Sequence, residues 1–182
     1  MIGRRIKIAM LVLASLSLLA VGAACGAGKA APTPSNNSAT SSAQPATNQR
    51  VRPTFLKPNI AGDTVSINLA EVQKDIMAHF KVPAGNGQET FMAYELGGKQ
   101  YVRAAICPPC GSQSFSLVGA TLVCDACGTV FDAKSGAGIR GACVAYPKAP
   151  VSFQSQDGTL TMKKADLLTA FQNTQSGKGL QN

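Results

Sequence analysis

Four cysteines in the stretch "ICPPCGSQSFSLVGATLVCDACGTVFD", residues 106–132, form two Cys-x-x-Cys pairs, Cys107 with Cys110 and Cys124 with Cys127. Two thiolates two residues apart can face one metal centre. The glycine after each pair, Gly111 and Gly128, permits the positive φ with which a chain folds back over its sulfurs. Backbone N–H groups in such a turn can donate to sulfur and tune the centre. The doubled motif reads as a four-thiolate cage, and its spacing suits a structural zinc and an iron–sulfur cluster equally. Disulfides are the alternative in an oxidising compartment, but a Cys-x-x-Cys bridge closes a loop too small to staple much. "CPPC" also has the form of a thiol oxidoreductase. That chemistry wants its pair at a helix N-terminus, whereas "GSQSFSLVG" follows here, with alternating residues and glycine.

Apolar periodicity around the cysteines is mostly two, which predicts strands. Val65, Ile67 and Leu69 alternate with polar residues, and residues 70–77 could make a helical turn. "HFKV" (79–82), "TFMAYEL" (90–96) and "QYVRAAI" (100–106) read as strands, the last running into Cys107. "FSLVG" and "TLV" make a hairpin between the two pairs, and "TVFDA" follows the second. "PVSFQSQDGTLTM" is a hairpin turning at Asp157–Gly158, and "KKADLLTAFQN" shows helical spacing. The expected class is mainly β: a small antiparallel domain, zinc-ribbon-like or Rieske-like, with two metal-knuckle hairpins and a C-terminal helix.

The remaining candidates are few. Cys143 ends the glycine-rich loop "SGAGIRGAC" and is odd among the globular cysteines. It reads as a cluster-adjacent residue, an alternative ligand or a buried small side chain. His79, the single histidine, reads as a satisfied strand or turn residue rather than a ligand, and Phe115, Phe131, Tyr146 and Phe153 as core. There is no Ser/His/Asp set, no carboxylate pair in a suitable context and no phosphate-binding loop, so no catalytic residue is assigned.

The N-terminus carries Arg4, Arg5 and Lys7, the apolar run Ile8 to Val21, and then Gly22, Ala23 and Ala24 before Cys25. This is the pattern of a secretory signal, with an apolar run short for a membrane span. "LAVGAAC" resembles a bacterial lipobox, with Gly22 where a larger residue is usual. That resemblance implies a signal peptide over 1–24 and acylation of Cys25, which would hold the protein on membrane lipid. Residues 25–54, rich in Ala, Ser, Thr, Pro and Asn, read as a disordered tether. The globular domain is expected over 55–174 and a disordered tail over 175–182. Of 182 residues, 17 are Lys or Arg and 9 Asp or Glu, a net charge of +8. Removing the three signal cations leaves +5, scattered, with no basic run interleaved with aromatics, which excludes a nucleic-acid partner.

The segment "YVRAAICPPCGSQSFSLVGATLVCDACGTVFDAKSGAGIRGACVAYPKAPV" resembles the membrane iron–sulfur FtrD-like domain family. Its Cys-x-x-Cys, second Cys-x-x-Cys and Gly-x-Cys before a proline fall here on Cys107 and Cys110, Cys124 and Cys127, and Cys143 ahead of Pro147. The second half also resembles a Rieske domain, but the Rieske histidines would fall on Cys110 and Cys127, so a histidine-ligated centre is excluded. An all-thiolate centre should have a lower potential. What the FtrD-like resemblance implies is a metal set of Cys107, Cys110, Cys124 and Cys127 holding an iron–sulfur cluster. It also implies electron transfer or membrane iron handling, with a membrane redox or iron-uptake partner, on the extracytoplasmic face of a bacterial membrane. The other readings are a zinc-stabilised binding module and a thiol oxidoreductase.

Overall fold

The computed structural model describes residues 49–180. The expected signal peptide, Cys25 and the expected tether up to residue 48 lie outside the described residues, as do residues 181–182. Three short strands come first, β1 (Arg50–Val51), β2 (Thr54–Leu56) and β3 (Asn59–Ala61), before β4 (Thr64–Asn68) leads into α1 (Leu69–Asp75). Asn68 caps that helix, its Oδ1 accepting from the Ala70 and Glu71 N–H groups. A meander follows, β5 (Met77–Ala84), β6 (Gly87–Leu96) and β7 (Lys99–Ala104). Next come β8 (Phe115–Val118), β9 (Thr121–Cys124), β10 (Val130–Asp132) and β11 (Gly138–Arg140). The chain closes with β12 (Gln154–Gln156), β13 (Thr159–Lys163) and α2 (Lys164–Gln175).

These strands make three sheets, ordered β1-β8-β9-β10-β11, β12-β13-β4-β3 and β2-β5-β6-β7. The meander sheet is central and buried on both faces. Ala78, Phe80, Val82, Phe91, Ala93 and Val102 point to one core, shared with Val65, Ile67, Leu160, Met162 and, from α2, Leu167 and Phe171. Met77, Met92 and Tyr94 point the other way, into a second core with Phe115, Leu117, Leu122, Phe131, Cys107, Cys124 and Cys143. Burial on both faces explains why "MAHF" and "FMAY" are continuously apolar or buried rather than alternating. The cysteine sheet thus hangs on the back of the meander, with its sulfurs at the edge of the second core. The mainly β class, the knuckle hairpins and the C-terminal helix are as expected.

Two boundaries differ from the sequence reading. The tether does not extend to residue 54. Arg50 and Val51 pair antiparallel with Val118 and Leu117, and Arg50 Nη1 lies 3.2 Å from Asp125 Oδ1. Two residues suffice to cover an open β8 edge, which composition cannot reveal. The tail also stays ordered beyond 175, because Ser176 and Lys178 N–H groups bond to Gln172 and Asn173 carbonyls and Gly179 is buried.

Candidate metal centre

The two knuckles are backbone twins. Gly111 N–H donates to the Cys107 carbonyl and Gly128 N–H to the Cys124 carbonyl, each at 2.9 Å. Both glycines take φ of 69°, the left-handed conformation that a side chain disfavours. Each knuckle is closed behind its first cysteine, Cys107 N–H donating to the Ser112 carbonyl and Cys124 N–H to the Thr129 carbonyl. The second knuckle is further locked by Asp125, which accepts from the Ser114 and Ser116 hydroxyls at 2.6 Å each.

Five sulfurs converge. Cys107 Sγ lies 3.8 Å from Cys127 Sγ, Cys110 Sγ lies 3.7 Å from Cys124 Sγ, and Cys127 Sγ lies 3.8 Å from Cys143 Sγ. The expected ligands Cys107, Cys110, Cys124 and Cys127 are therefore together, and Cys143 is with them. The tightest set of four is Cys107, Cys110, Cys127 and Cys143, whose sulfurs all lie within 4.8 Å of one another. These separations far exceed an S–S bond of about 2.05 Å. A tetrahedron with metal–sulfur bonds of about 2.3 Å has edges near 3.8 Å, a length that these three sulfur pairs match, so the group is near the size of a tetrahedral thiolate site. Thiolate donors are also the ligands that iron–sulfur clusters take. No helix begins at either pair: Pro108–Cys110 is a single 3-10 turn, and β10 follows the second knuckle. The support that a helix N-terminus would give to dithiol catalysis is missing.

The centre has a wet side and a dry side. Cys107, Cys124 and Cys143 are buried, while Cys110 and Cys127 are exposed. Burial pushes the Cys107 thiol well up and raises Cys124 as well, the latter partly opposed by the Cys127 and Ala126 backbone N–H groups. Burial would also raise Cys127, but contacts with the Thr129 hydroxyl and backbone outweigh it and bring that thiol down to about 6. Thr129 Oγ1 stands 3.2 Å from Cys127 Sγ and accepts from the Cys143 N–H at 3.2 Å. The glycine-rich loop folds over this contact: a Cβ on Gly141 would lie 2.7 Å from Thr129 Cα.

Three buried polar residues around the site gave no sequence signal. Lys148 is fully buried, its Nζ donating to the Ile106 carbonyl at 2.6 Å and lying 4.2 Å from the Phe131 ring centroid and 5.1 Å from that of Phe115. Burial lowers its ammonium to about 8, and the neighbouring cysteines, Cys107 first, pull the other way. A desolvated cation–π contact contributes about 2 kcal/mol, short of the several kcal/mol that burying an ion costs. Arg103 is also buried; it donates to the Tyr94 hydroxyl at 3.0 Å, the Lys148 carbonyl at 2.7 Å and the Lys134 carbonyl. Thr129 is the third. Phe115 and Phe131 are core as expected, Phe153 is half-buried and packs against the first core, and Tyr146 is half-buried. His79 is buried but not satisfied, since neither ring nitrogen has a hydrogen-bond partner. Among the described residues no helix is long and apolar enough to cross a membrane.

Residues 72–173 match the family described as "Membrane iron-sulfur containing protein FtrD-like". Comparison with curated proteins gives no match. Solved structures similar to the chain include the complex of reduced oxygenase and oxidized ferredoxin in carbazole 1,9a-dioxygenase, at 14% identity and a TM-score of 0.47 over 57% of this chain and 95% of that one. The ferredoxin of carbazole 1,9a-dioxygenase from Nocardioides aromaticivorans IC177 is 13% identical, with a TM-score of 0.43 over 59% and 98%. Sphingomonas yanoikuyae B1 ferredoxin is 19% identical, with a TM-score of 0.38 over 46% and 83%.

Proposed function

The chain belongs to the membrane iron–sulfur FtrD-like family, and on that footing we propose that it is a membrane-held electron carrier serving iron chemistry at the bacterial cell surface. The observation that carries this reading is the convergence of five sulfurs at an edge where two of them, those of Cys110 and Cys127, belong to exposed residues. An iron centre bound there supplies reversible one-electron chemistry. Cys107, Cys110 and Cys127 would hold it, with Cys124 or Cys143 completing the set. Phe115, Phe131 and the three buried cysteines keep water from its inner side. Cys110 and Cys127 keep the path to a redox partner short, and the exposed Ile139 and Val144 on the loop around Cys143 offer that partner an apolar rim. Acylated Cys25 would supply the membrane attachment, on the extracytoplasmic face. A membrane redox or iron-uptake protein would be the partner.

A second reading has one observation in its favour. Three sulfur pairs stand at 3.7–3.8 Å, close to the edge of a single tetrahedral thiolate site, as in a zinc-stabilised binding module. Anaerobic purification separates the two. An electron carrier is coloured, bleaches with dithionite and contains iron. A colourless protein with one zinc per chain would overturn electron transfer.

A further inference from the structure

We propose that the Lys148 ammonium is the built-in counter-charge of the thiolate centre. Its charge offsets the negative charge that metal-bound thiolates bring to the site, which favours metal retention and makes a redox-active metal there easier to reduce. The redox half of this inference rests on the electron-transfer reading; the metal-binding half does not.

The geometry leaves the cation no other anion. Lys148 is fully buried, and its single hydrogen-bond acceptor is the neutral carbonyl of Ile106, next to Cys107 in the chain. Among the described residues the one ion pair is Arg50 with Asp125, so no carboxylate neutralises Lys148. The two rings beside the ammonium belong to the core that also holds three of the cysteines. Phe115 pairs across the hairpin with Cys124, and Phe131 shares its core with Cys107, Cys124 and Cys143. The residue is also fixed in place. Its N–H donates to the Gly136 carbonyl at 2.8 Å, and its own carbonyl accepts from Arg103 at 2.7 Å.

An unpaired buried charge weakens a fold, and an apolar side chain of the same length would pack without that penalty. A cation is useful at this position if several negative charges must be held beside it. A centre held by several thiolates is negatively charged, and a fixed positive charge beside it offsets that charge. Reduction adds one more negative charge, which the same cation stabilises, raising the potential. Arg103 acts one step back, as a positioning residue for Lys148.

Lys148→Met, which keeps length and removes charge, tests the inference with zinc as probe. The metal-free variant is expected to be at least as heat-stable as the metal-free parent. Zinc bound to it should be lost at tenfold or more lower chelator concentration, and the iron-loaded form should show a midpoint potential shifted negative. A purely structural lysine would give the opposite pattern, with lower stability and unchanged zinc retention and potential, and that result overturns the proposal. Where the Met variant does not fold, Lys148→Gln, which can still donate to Ile106, is read the same way. If the parent protein shows no reversible couple, the electron-transfer reading fails, and zinc retention still decides the role of Lys148.

Discussion

Cys127 and Cys143 are bridged by one hydroxyl: Thr129 Oγ1 stands 3.2 Å from the Cys127 sulfur and 3.2 Å from the Cys143 nitrogen, with the two sulfurs 3.8 Å apart. The glycine-rich loop is thereby tied to the second knuckle, and five sulfurs are left to fill four positions. Cys124→Ser and Cys143→Ser are each expected to retain metal, while the double variant loses it. Cys107→Ser, Cys110→Ser and Cys127→Ser should each lose it alone. Metal content per folded chain is the measurement, and metal-free protein from the Cys124 single variant would sink the redundancy.

Thr129→Val removes the hydroxyl and keeps the shape. The Cys127 thiol, now down near 6, should rise toward the ordinary value of about 8.5. In metal-free protein at pH 7, alkylation at Cys127 is expected to slow by roughly an order of magnitude. Residue-resolved mass spectrometry reads this directly, and an unchanged rate would remove Thr129 from its assigned role.

His79 makes the protein sensitive to mild acid. Burial lowers it from 6.5 to about 4, against a smaller opposing pull from Asp125. The folded state keeps the ring neutral while the unfolded chain takes up a proton. The stability linked to His79 is therefore complete above pH 6.5 and is lost as pH falls toward 4, by up to ~3 kcal/mol. His79→Leu should flatten the fall in denaturant-measured stability across that window. A variant with the same pH slope as the parent would assign the slope to other groups.

Cys25→Ser should release the protein from membranes or leave its signal uncleaved. Fractionation and intact mass check this. An unmodified Cys25 in a membrane-bound mature chain would refute acylation.

Much of the site was legible because metal knuckles are local. Cys-x-x-Cys-Gly carries its own turn geometry, so the sulfurs and the φ of Gly111 and Gly128 follow from five consecutive residues. Strands of the meander were legible in the same way, by position if not by extent. What stayed hidden depends on contacts between distant segments. Lys148 in "YPKAP" looks like any surface lysine until β8 and β10 place Phe115 and Phe131 around it. The β1 strand is two residues of an apparent linker, visible only once β8 offers it an edge. His79 was expected to be satisfied, because the cover provided by Phe55, whose ring meets it edge-on at 5.6 Å, comes from a parallel pairing that no local pattern announces.

The pairing register also sets a folding order. All five sulfurs lie within residues 107–143, among the β8–β9 and β9–β10 hairpins that close over short loops, whereas the outer sheet needs Asn68 to find Thr159. Short closures are the faster ones, so the knuckles should form while β4 and β13 are still apart. Pulse-labelled hydrogen exchange would detect this as early protection at Cys124 and Gly128 and late protection at the N–H groups that join β13 to β4. A newly made chain would then be able to capture its metal before its outer sheet has closed, and the finished domain would close around a loaded centre.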